Sequence, residues 1–458
     1  MHQGGIEIET WALKECGRAG FGDGRVTQRL VTVVSTLAEH PNESLPHAAG
    51  SWGELKGIYR FFDNARVVHD RILLSHRKAT VDRIKGKSII LAAQDTTTLS
   101  FTTHRATEGL GPVGSDYTLG FFYHPSLAMD INGVPLGLLT ARFWARDGEE
   151  PREKESQRWV DTVREVREVV PQETRVVVIG DRESDIFAVF AEAHKSGADV
   201  LVRATHNRQL AGEWPDLAAA IEAAPLLGGL DVTVPRGHES PERQATLALH
   251  AQKVLLQPPA AQRKNYRDPI PLSVVCAYEL HPPAGEQPIG WVLLTTLPAT
   301  TAEEAALALR WYTYRWRIER FNYTLKSGCQ VEKLQLETRR RLENAIAAYS
   351  IVAWRLLYLT YVARENPDAP CSLVFSEAEW KGLYLAIYKK RMLNGMKMPS
   401  EPPKLSTAVL WLARLGGFLA RKSDGEPGVK VLWRGFQRLE LATAFWVVAH
   451  PSSELGKG

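Results

Sequence analysis

Two short apolar runs, each closed by an aspartate, constrain the fold of this chain most strongly. Residues 88–94 form one run, which follows Gly86 and ends at Asp95, and residues 175–180 form another, which ends at Asp181. Runs of this length between polar residues are typical of strands buried on both faces of a sheet. We therefore predict an α/β protein with both aspartates at the carboxyl edge of the sheet, where such proteins tend to place their sites.

Helices are predicted at both ends of the chain, with further strands between them. Residues 121–131 and 134–143 have the pattern of two strands joined at Asn132-Gly133, a common hairpin turn. Residues 200–204 resemble another buried strand, and a strand-like, turn-rich region follows it. We predict a helical unit over residues 1–70, an α/β core over 71–365 with a β-rich insertion at about 206–300, and a helical region over 366–458.

A third acidic residue lies among cations in a predicted helix. Residues 301–304 form a capping box and Gly328 suits a helix end, which predicts one helix of about 26 residues. Mixed charges on a helix usually mark an exposed face with ordinary ion pairs. The two upstream aspartates favour a functional site instead. At about 100° per residue, one face of this helix carries Tyr312, Arg315, Glu319 and Lys326.

Three carboxylates next to cations are suited to phosphoryl transfer. If Asp95, Asp181 and Glu319 meet in space, their oxygen atoms suit Mg²⁺, and Mn²⁺ as a substitute. Two such ions can activate an attacking oxygen and stabilise the leaving oxygen at a phosphodiester. Arg315 and Lys326 would then hold flanking phosphates, and Tyr312 would hydrogen-bond or stack.

The second aspartate has two alternative interpretations. Asp181 leads directly into a predicted helix, so that it could be only an N-terminal cap. Asp185, four residues later, could then be the metal ligand. We favour Asp181 because a residue at the end of a strand is held more rigidly.

The distribution of charge indicates a polyanionic partner. Nine Lys/Arg and four Glu lie between residues 310 and 343, a net +5, whereas the whole chain carries +4.

The four cysteines are widely spaced, which argues against a zinc cluster or a disulfide framework. The N-terminal residues lack the apolar core of a secretory signal, and we expect no run long enough to cross a bilayer. We therefore expect a cytoplasmic protein without a membrane partner.

These motifs together resemble the DDE transposases of the insertion-sequence IS-four family. The spacing of Tyr312, Arg315, Glu319 and Lys326 matches that family's Y-x-x-R-x-x-x-E-x-x-x-x-x-x-K motif, and the segments around Asp95 and Asp181 match its first two acidic motifs. The resemblance covers nearly the whole chain. It implies a ribonuclease-H-like core, two Mg²⁺ ions, an N-terminal DNA-binding domain and a C-terminal dimerisation region. It also implies a nucleoid-associated homodimer that binds double-stranded transposon ends and target DNA.

The resemblance also implies further DNA contacts. Arg25, Arg29 and Arg60 match N-terminal positions that contact transposon-end DNA, and Arg203 and Arg208 match positions that contact the end near the cleavage site. Trp291 matches a tryptophan that stacks on an extruded base when a DNA hairpin forms; ordinary packing in a half-buried strand is the alternative.

Two positions depart from the family pattern. The family often has a second lysine four residues after the glutamate, where this chain has Tyr323. A Lys-Tyr pair after the first N-terminal helix is replaced by Glu39-His40. These differences predict other end sequences or weaker end binding.

The resulting functional hypothesis is a cut-and-paste DNA transposase that nicks transposon ends, forms and opens end hairpins, and joins the 3′-hydroxyl to target DNA. A structure-selective nuclease without strand transfer is the enzymatic alternative. A transposase-derived DNA-binding regulator is the other, although it would predict a broken acidic triad or a missing N-terminal domain.

Overall fold

The computed structural model describes residues 11–449 apart from 105, 115–116, 147–154, 235–242, 394 and 422–424. Five helices precede the first strand, and the predicted boundary at residue 70 falls in the first turn of the fifth, which packs on the core sheet. They are α1 (Trp11–Cys16), α2 (Gly24–Glu39), α3 (Leu45–Ala48), α4 (Trp52–Asp63) and α5 (His69–Ile84).

The core is a mixed sheet whose central strands are parallel. Strand β1 is parallel to β6, which is parallel to β7, while β4 is antiparallel to β1 and forms a hairpin with β5. This order, β5-β4-β1-β6-β7, is that of a ribonuclease-H-like core. The elements are β1 (Ile89–Gln94), β2 (Thr97–Ser100), β3 (Gly111–Pro112), β4 (Leu119–Met129), β5 (Pro135–Trp144), α6 (Gln157–Val169), β6 (Arg175–Gly180), α7 (Phe187–Ser196) and β7 (Asp199–Arg203).

Both faces of the central strands are buried, which explains their continuous apolar runs. Leu91 and Val177 belong to the core cluster on one face of the sheet, whereas Ile90 and Val176 belong to the cluster on the other face. Helices α6 and α7 cover the second face. Side chains alternate between faces along a strand, so a strand covered on both sides has no polar positions until it ends. Asp95 and Asp181, which directly follow β1 and β6, therefore lie at the carboxyl edge of the sheet.

The predicted β-insertion continues the same sheet. Strand β12 pairs antiparallel with β7, and β11, β10 and β8 follow outward, so that the described strands form one 12-stranded sheet. Its elements are β8 (Leu210–Ala211), α8 (Leu217–Ala223), β9 (Leu226–Val234), β10 (Arg243–Leu256), β11 (Ile270–Glu279) and β12 (Gly290–Thr295). The insertion is thereby attached rigidly beside β7.

The helix predicted between Thr301 and Gly328 is interrupted, so the prediction of one continuous helix is wrong. It comprises α9 (Ala302–Thr313), α10 (Trp316–Tyr323) and one π-helical turn (Thr324–Gly328). The predicted capping box at Thr301 and Glu304 is present. After Thr313 the backbone N–H groups of residues 314, 315, 317 and 318 bond to carbonyls three residues back, which tightens the chain locally.

Packing explains where this break occurs. The ring of Tyr314 lies against the turn of the β4–β5 hairpin, so close that a Cβ on Gly133 would lie 2.9 Å from it. The hairpin itself is confirmed, but its turn differs from the two-residue form. Gly133 alone adopts a positive φ of 81°, and its N–H bonds to the carbonyl of Asp130. This is a type I turn followed by a left-handed glycine.

The long helix α11 (Arg339–Glu365) comes next. Three further helices follow it: α12 (Glu377–Leu393), α13 (Leu405–Leu415) and α14 (Val429–Ala449). Contrary to the prediction, α11 is long and apolar enough to cross a bilayer, with a mean hydropathy of 1.4 over its most apolar window. That window is 94% buried inside the protein, which is the environment of a core helix.

Candidate active site and DNA interface

Asp95 and Asp181 lie at neighbouring strand ends. Strands β1 and β6 are adjacent and parallel, and Ala93 pairs with Ile179. Each aspartate therefore follows a paired position by two residues, at the carboxyl edge of the sheet. Helix α10, which carries Glu319, packs against β1 and β4 at this edge. The topology thus brings together three acidic residues that are far apart in the sequence.

Asp95 is affected by the charges of both other carboxylates. Its pKa is raised from 3.8 to about 7, chiefly by burial and then by the charge of Asp181; Arg315 lowers this pKa, and Glu319 makes a smaller contribution that raises it. The carboxyl of Asp95 accepts a hydrogen bond of 3.0 Å from the Asn322 amide. Repulsion among gathered carboxylates is the condition that a bound cation relieves.

Each of the other two carboxylates also has a protein partner. Glu319 forms an ion pair of 2.7 Å with Arg315, one turn earlier on the same helical segment. Asp181 accepts a hydrogen bond of 2.9 Å from the backbone N–H of Glu183 and so caps a short 3₁₀ turn, as the alternative interpretation predicted. A capping role does not exclude a ligand role, because a carboxylate has several lone pairs.

The residues present fit a divalent cation by their chemistry. The donor set consists of carboxylate oxygens, which suit Mg²⁺ or Mn²⁺, and the buried Oδ1 of Asn322 beside Asp95 has no hydrogen-bond partner. Among the described residues, no three acidic, His or Cys side chains already surround one point at ligand distance. The three carboxylates are therefore not arranged around a single ion, and Glu319 is paired with Arg315.

Asp185 has a different environment from Asp181. Its side chain is fully buried and forms a 2.7 Å ion pair with Arg208, whose side chain is 12% exposed. It also accepts hydrogen bonds from the backbone N–H groups of Thr205 and His206. Its oxygens are thus occupied by protein groups, an arrangement that favours Asp181 as the candidate ligand. Arg208, which we predicted to contact DNA, is held here by Asp185.

The remaining residues of the motif surround the acidic cluster. Lys326 donates a 2.9 Å hydrogen bond to the carbonyl of Thr98, three residues after Asp95.

Tyr312 is buried, with 3% exposure, and its ring meets that of Trp291 edge to face at 5.8 Å. Trp291 is half-buried in β12, on the strand that pairs with β7. Arg203, at the end of β7, bonds to the carbonyl of Gly290. Trp291 and Arg203 therefore lie on the insertion side of the site.

The N-terminal arginines lie together on two packed helices. Arg25 and Arg29 are exposed on α2, and Arg60 is exposed in the last turn of α4. The guanidinium of Arg29 lies so close to Gly57 of α4 that a Cβ there would be 3.0 Å from it. These three arginines form an exposed basic surface on the N-terminal helices. The acidic residues of the site lie on other elements, at the ends of β1 and β6 and on α10.

Two residues near these surfaces were missed in the sequence. Asn322 follows Glu319 by three residues, so helical spacing could have placed it beside the site. Trp52 on α4 is 69% exposed. Its position in a basic helical unit was the available signal.

A ribonuclease-H-like sheet with acidic residues at its carboxyl edge, beside basic side chains, defines a class of metal-dependent enzymes that act on phosphodiesters. Comparison with family models gives the particular family. The model described as "Transposase DDE domain" matches residues 120–355, just over half of the chain. The chain therefore belongs to the DDE transposases, enzymes that cleave DNA and transfer strands with divalent metal ions. The match begins after Asp95, so the assignment of that residue depends on the geometry above.

Two further family matches cover the ends of the chain. The model "Transposase DNA-binding" matches residues 8–67, and "Transposase Tn5 dimerisation domain" matches residues 351–456. Together the three matches identify a transposase of the Tn5/IS4-like type, which binds DNA and forms homodimers. The predicted family, fold class and enzyme class are confirmed.

Proposed function

We propose that this transposase moves its element by a cut-and-paste mechanism, with Asp95, Asp181 and Glu319 as the residues that hold two Mg²⁺ ions. Mn²⁺ would substitute for Mg²⁺. The observation that carries the proposal is the topology: adjacent parallel strands β1 and β6 end at Asp95 and Asp181, and helix α10, which carries Glu319, packs against β1. The raised pKa of Asp95 is consistent with this arrangement. Bound divalent ions would supply Lewis-acid stabilisation to the attacking and leaving oxygens of a phosphodiester.

In the proposed reaction sequence, the enzyme nicks one strand at each transposon end by hydrolysis. The freed 3′-hydroxyl then attacks the opposite strand, which forms a hairpin on the transposon end. Hydrolysis reopens the hairpin, and the regenerated 3′-hydroxyl attacks target DNA. In each step, a P–O bond to the attacking oxygen forms as the P–O bond to the leaving oxygen breaks. The attacking oxygen belongs to water or to a 3′-hydroxyl of the DNA, so that water is the only further reactant.

The chain's own residues would bind and orient the DNA. Arg315 and Lys326, which flank Glu319, would hold phosphates next to the scissile bond, where charge-assisted contacts are strong. Arg203 and Arg208 would contact the end near the cleavage site once DNA is bound. Tyr312 would support the site through its packing on Trp291.

Recognition of the transposon ends would begin in the N-terminal domain. We propose that Arg25, Arg29 and Arg60 contact the end DNA, supported by their exposure on the packed helices α2 and α4. Such phosphate contacts depend strongly on salt.

The proposed domains are a DNA-binding domain over 1–70, the core over 71–365 and a dimerisation region over 366–458. The proposed site of action is nucleoid DNA in a prokaryotic cytoplasm.

The test uses the full-length protein with linear DNA that carries the inverted ends of its own element, with Mg²⁺ or Mn²⁺. We expect nicked ends, hairpin ends, excised element and joined target products in that order. Cleavage without joined products would instead support a structure-selective nuclease. Binding of the ends without any cleavage would support a regulator.

We predict that Trp291→Ala leaves the first nick unchanged but reduces hairpin formation by roughly 5- to 150-fold. Stacking of an aromatic side chain on an unpaired base stabilises it by about 1–3 kcal/mol, and this stabilisation would be lost. Single-turnover assays that resolve nicked and hairpin products on denaturing gels measure the effect.

Trp291→Phe is the matched control, since it keeps an aromatic ring and should retain most hairpin formation. Thermal denaturation of both variants reports on folding. If Trp291→Ala lowers stability and slows nicking and hairpin formation equally, the tryptophan only packs against Tyr312.

A further inference from the structure

The C-terminal helix α14 brings two cations to the helical segment that carries Glu319. Lys430 lies in its first turn, and its Nζ atom is 5.6 Å from the ring centroid of Tyr323. Arg434 follows one turn later, and both side chains are exposed. Within the described part of the chain, neither cation has a carboxylate partner. Two unpaired cations at this place are available to an anionic ligand.

Tyr323 places these cations close to the acidic site. It lies four residues after Glu319 on α10, hence on the same face one turn further on, and three residues before Lys326. Its ring is 41% exposed and points outward beneath Lys430. The row of Arg315, Glu319 and Lys326 is therefore extended by a cation that comes from another part of the chain.

The position of α14 is set by close packing on the π-helical turn that carries Lys326. The buried indole of Trp433 approaches Gly328 so closely that a Cβ there would lie 3.0 Å from Cζ3 of the indole. Only glycine permits this approach without displacement. Lys430 and Arg434 flank Trp433 on the same helix, so this contact holds both in place relative to Lys326.

The same turn borders a small polar cavity. Its volume is about 250 Å³, and its lining includes Lys326, Lys333 and one carboxylate, that of Glu332, which lies 3.6 Å from the Nζ atom of Lys326. The cation–π contact of Lys430 with an exposed ring stabilises helix docking only slightly. Helix docking alone therefore does not explain why Lys430 and Arg434 lie near Lys326. A phosphodiester backbone that passes over Lys326 could contact all three cations.

We propose that Lys430 and Arg434 contact the DNA backbone next to the active site, so that the dimerisation domain also holds the strand being cleaved. The ligand is the phosphodiester chain of the bound transposon end. This inference rests on the proposed function, because it assumes that the end lies over α10.

The test measures equilibrium binding of end DNA as a function of salt, with Asp95→Asn in every protein so that cleavage plays no part. Lys430→Met keeps the aliphatic stem on Tyr323 but removes the charge. We expect the slope of log affinity against log salt to become shallower by about 1 for Lys430→Met, and by about 2 when Arg434→Gln is added. The weakening should be similar for all DNA sequences.

Three control proteins make the test specific. Lys404→Gln removes an exposed lysine of the same region that pairs with Asp368, and it should leave the slope unchanged. Lys430→Arg should retain the slope. Tyr323→Lys in the Lys430→Met protein should restore it, since a cation returns to the same place on α10.

Unchanged slopes for both Lys430→Met and the double variant would overturn the proposal. A slope change that Tyr323→Lys fails to restore would also count against it, since the cation would then act elsewhere. Because the readout is binding, an enzyme that proves unable to cleave would contradict the proposed function while leaving this result interpretable.

Discussion

Asp95→Asn, Asp181→Asn and Glu319→Gln should each slow cleavage of end DNA by about a thousandfold or more, with binding of the ends retained. Metal-ion stabilisation of the transition state amounts to several kcal/mol, and each 1.36 kcal/mol is a factor of ten in rate. The amides keep the size of each side chain, and Asn caps a turn as well as Asp does. Single-turnover nicking with Mn²⁺ measures the loss. A variant with full activity would remove its residue from the proposed site.

Asp185→Asn is the informative comparison for this series. Removal of its charge would leave the largely buried Arg208 without a counter-ion. Breaking such a pair typically costs about 3–5 kcal/mol, so we expect a large fall in thermal stability. The opposite pattern, in which Asp185→Asn folds normally but is inactive while Asp181→Asn remains active, would make Asp185 the metal ligand.

The second large effect concerns the stability of the metal-free protein. The pKa of Asp95 is raised from 3.8 to about 7 in the folded state, chiefly by burial and then by the charge of Asp181. Below about pH 4 this carboxyl is protonated in both folded and unfolded chains. Between about pH 4 and 7 only the unfolded chain ionises, so that the folded state loses stability as pH rises, by a total on the order of 4 kcal/mol.

Asp95→Asn should therefore stabilise the metal-free protein at pH 8 and change its stability little at pH 4. Adding Mg²⁺ or Mn²⁺ at pH 8 should stabilise the wild type and have a much smaller effect on the variant, because ligand binding to the folded state alone raises stability. Thermal unfolding across this pH range, with and without the ion, measures both effects.

Asp181→Asn provides the check on the cause. It removes the neighbouring charge that raises the pKa of Asp95 most, so that the loss of stability should shift to lower pH. A difference between wild type and Asp95→Asn that stays constant from pH 4 to 8 would contradict this account of the carboxylate cluster.

Local chemistry explains which features could be predicted from the sequence. The strands that end at Asp95 and Asp181 were recognisable because burial on both faces requires continuous apolar residues. The capping box at Thr301 and Glu304 was recognisable because its hydrogen bonds join residues three apart. The family motif indicated Glu319 as a third acidic residue by spacing alone.

Other features depend on contacts between distant segments. The break after Thr313 is related to the packing of Tyr314 on a hairpin turn near residue 133, which helical periodicity cannot reveal. The hydrogen bond between Asn322 and Asp95 joins residues 227 apart. The contact of Lys430 with Tyr323 likewise joins two domains, and neither residue has a distinctive local pattern.

The sequence by itself determined which side chains stand at strand ends and which share a helical face, since these depend on neighbours a few residues away. Only the tertiary structure decided that Asp95 is affected by both Asp181 and Glu319, and that Asp185 is occupied by Arg208. The physical reason is that burial and electrostatic interaction depend on distance in space, and the folded sheet sets those distances.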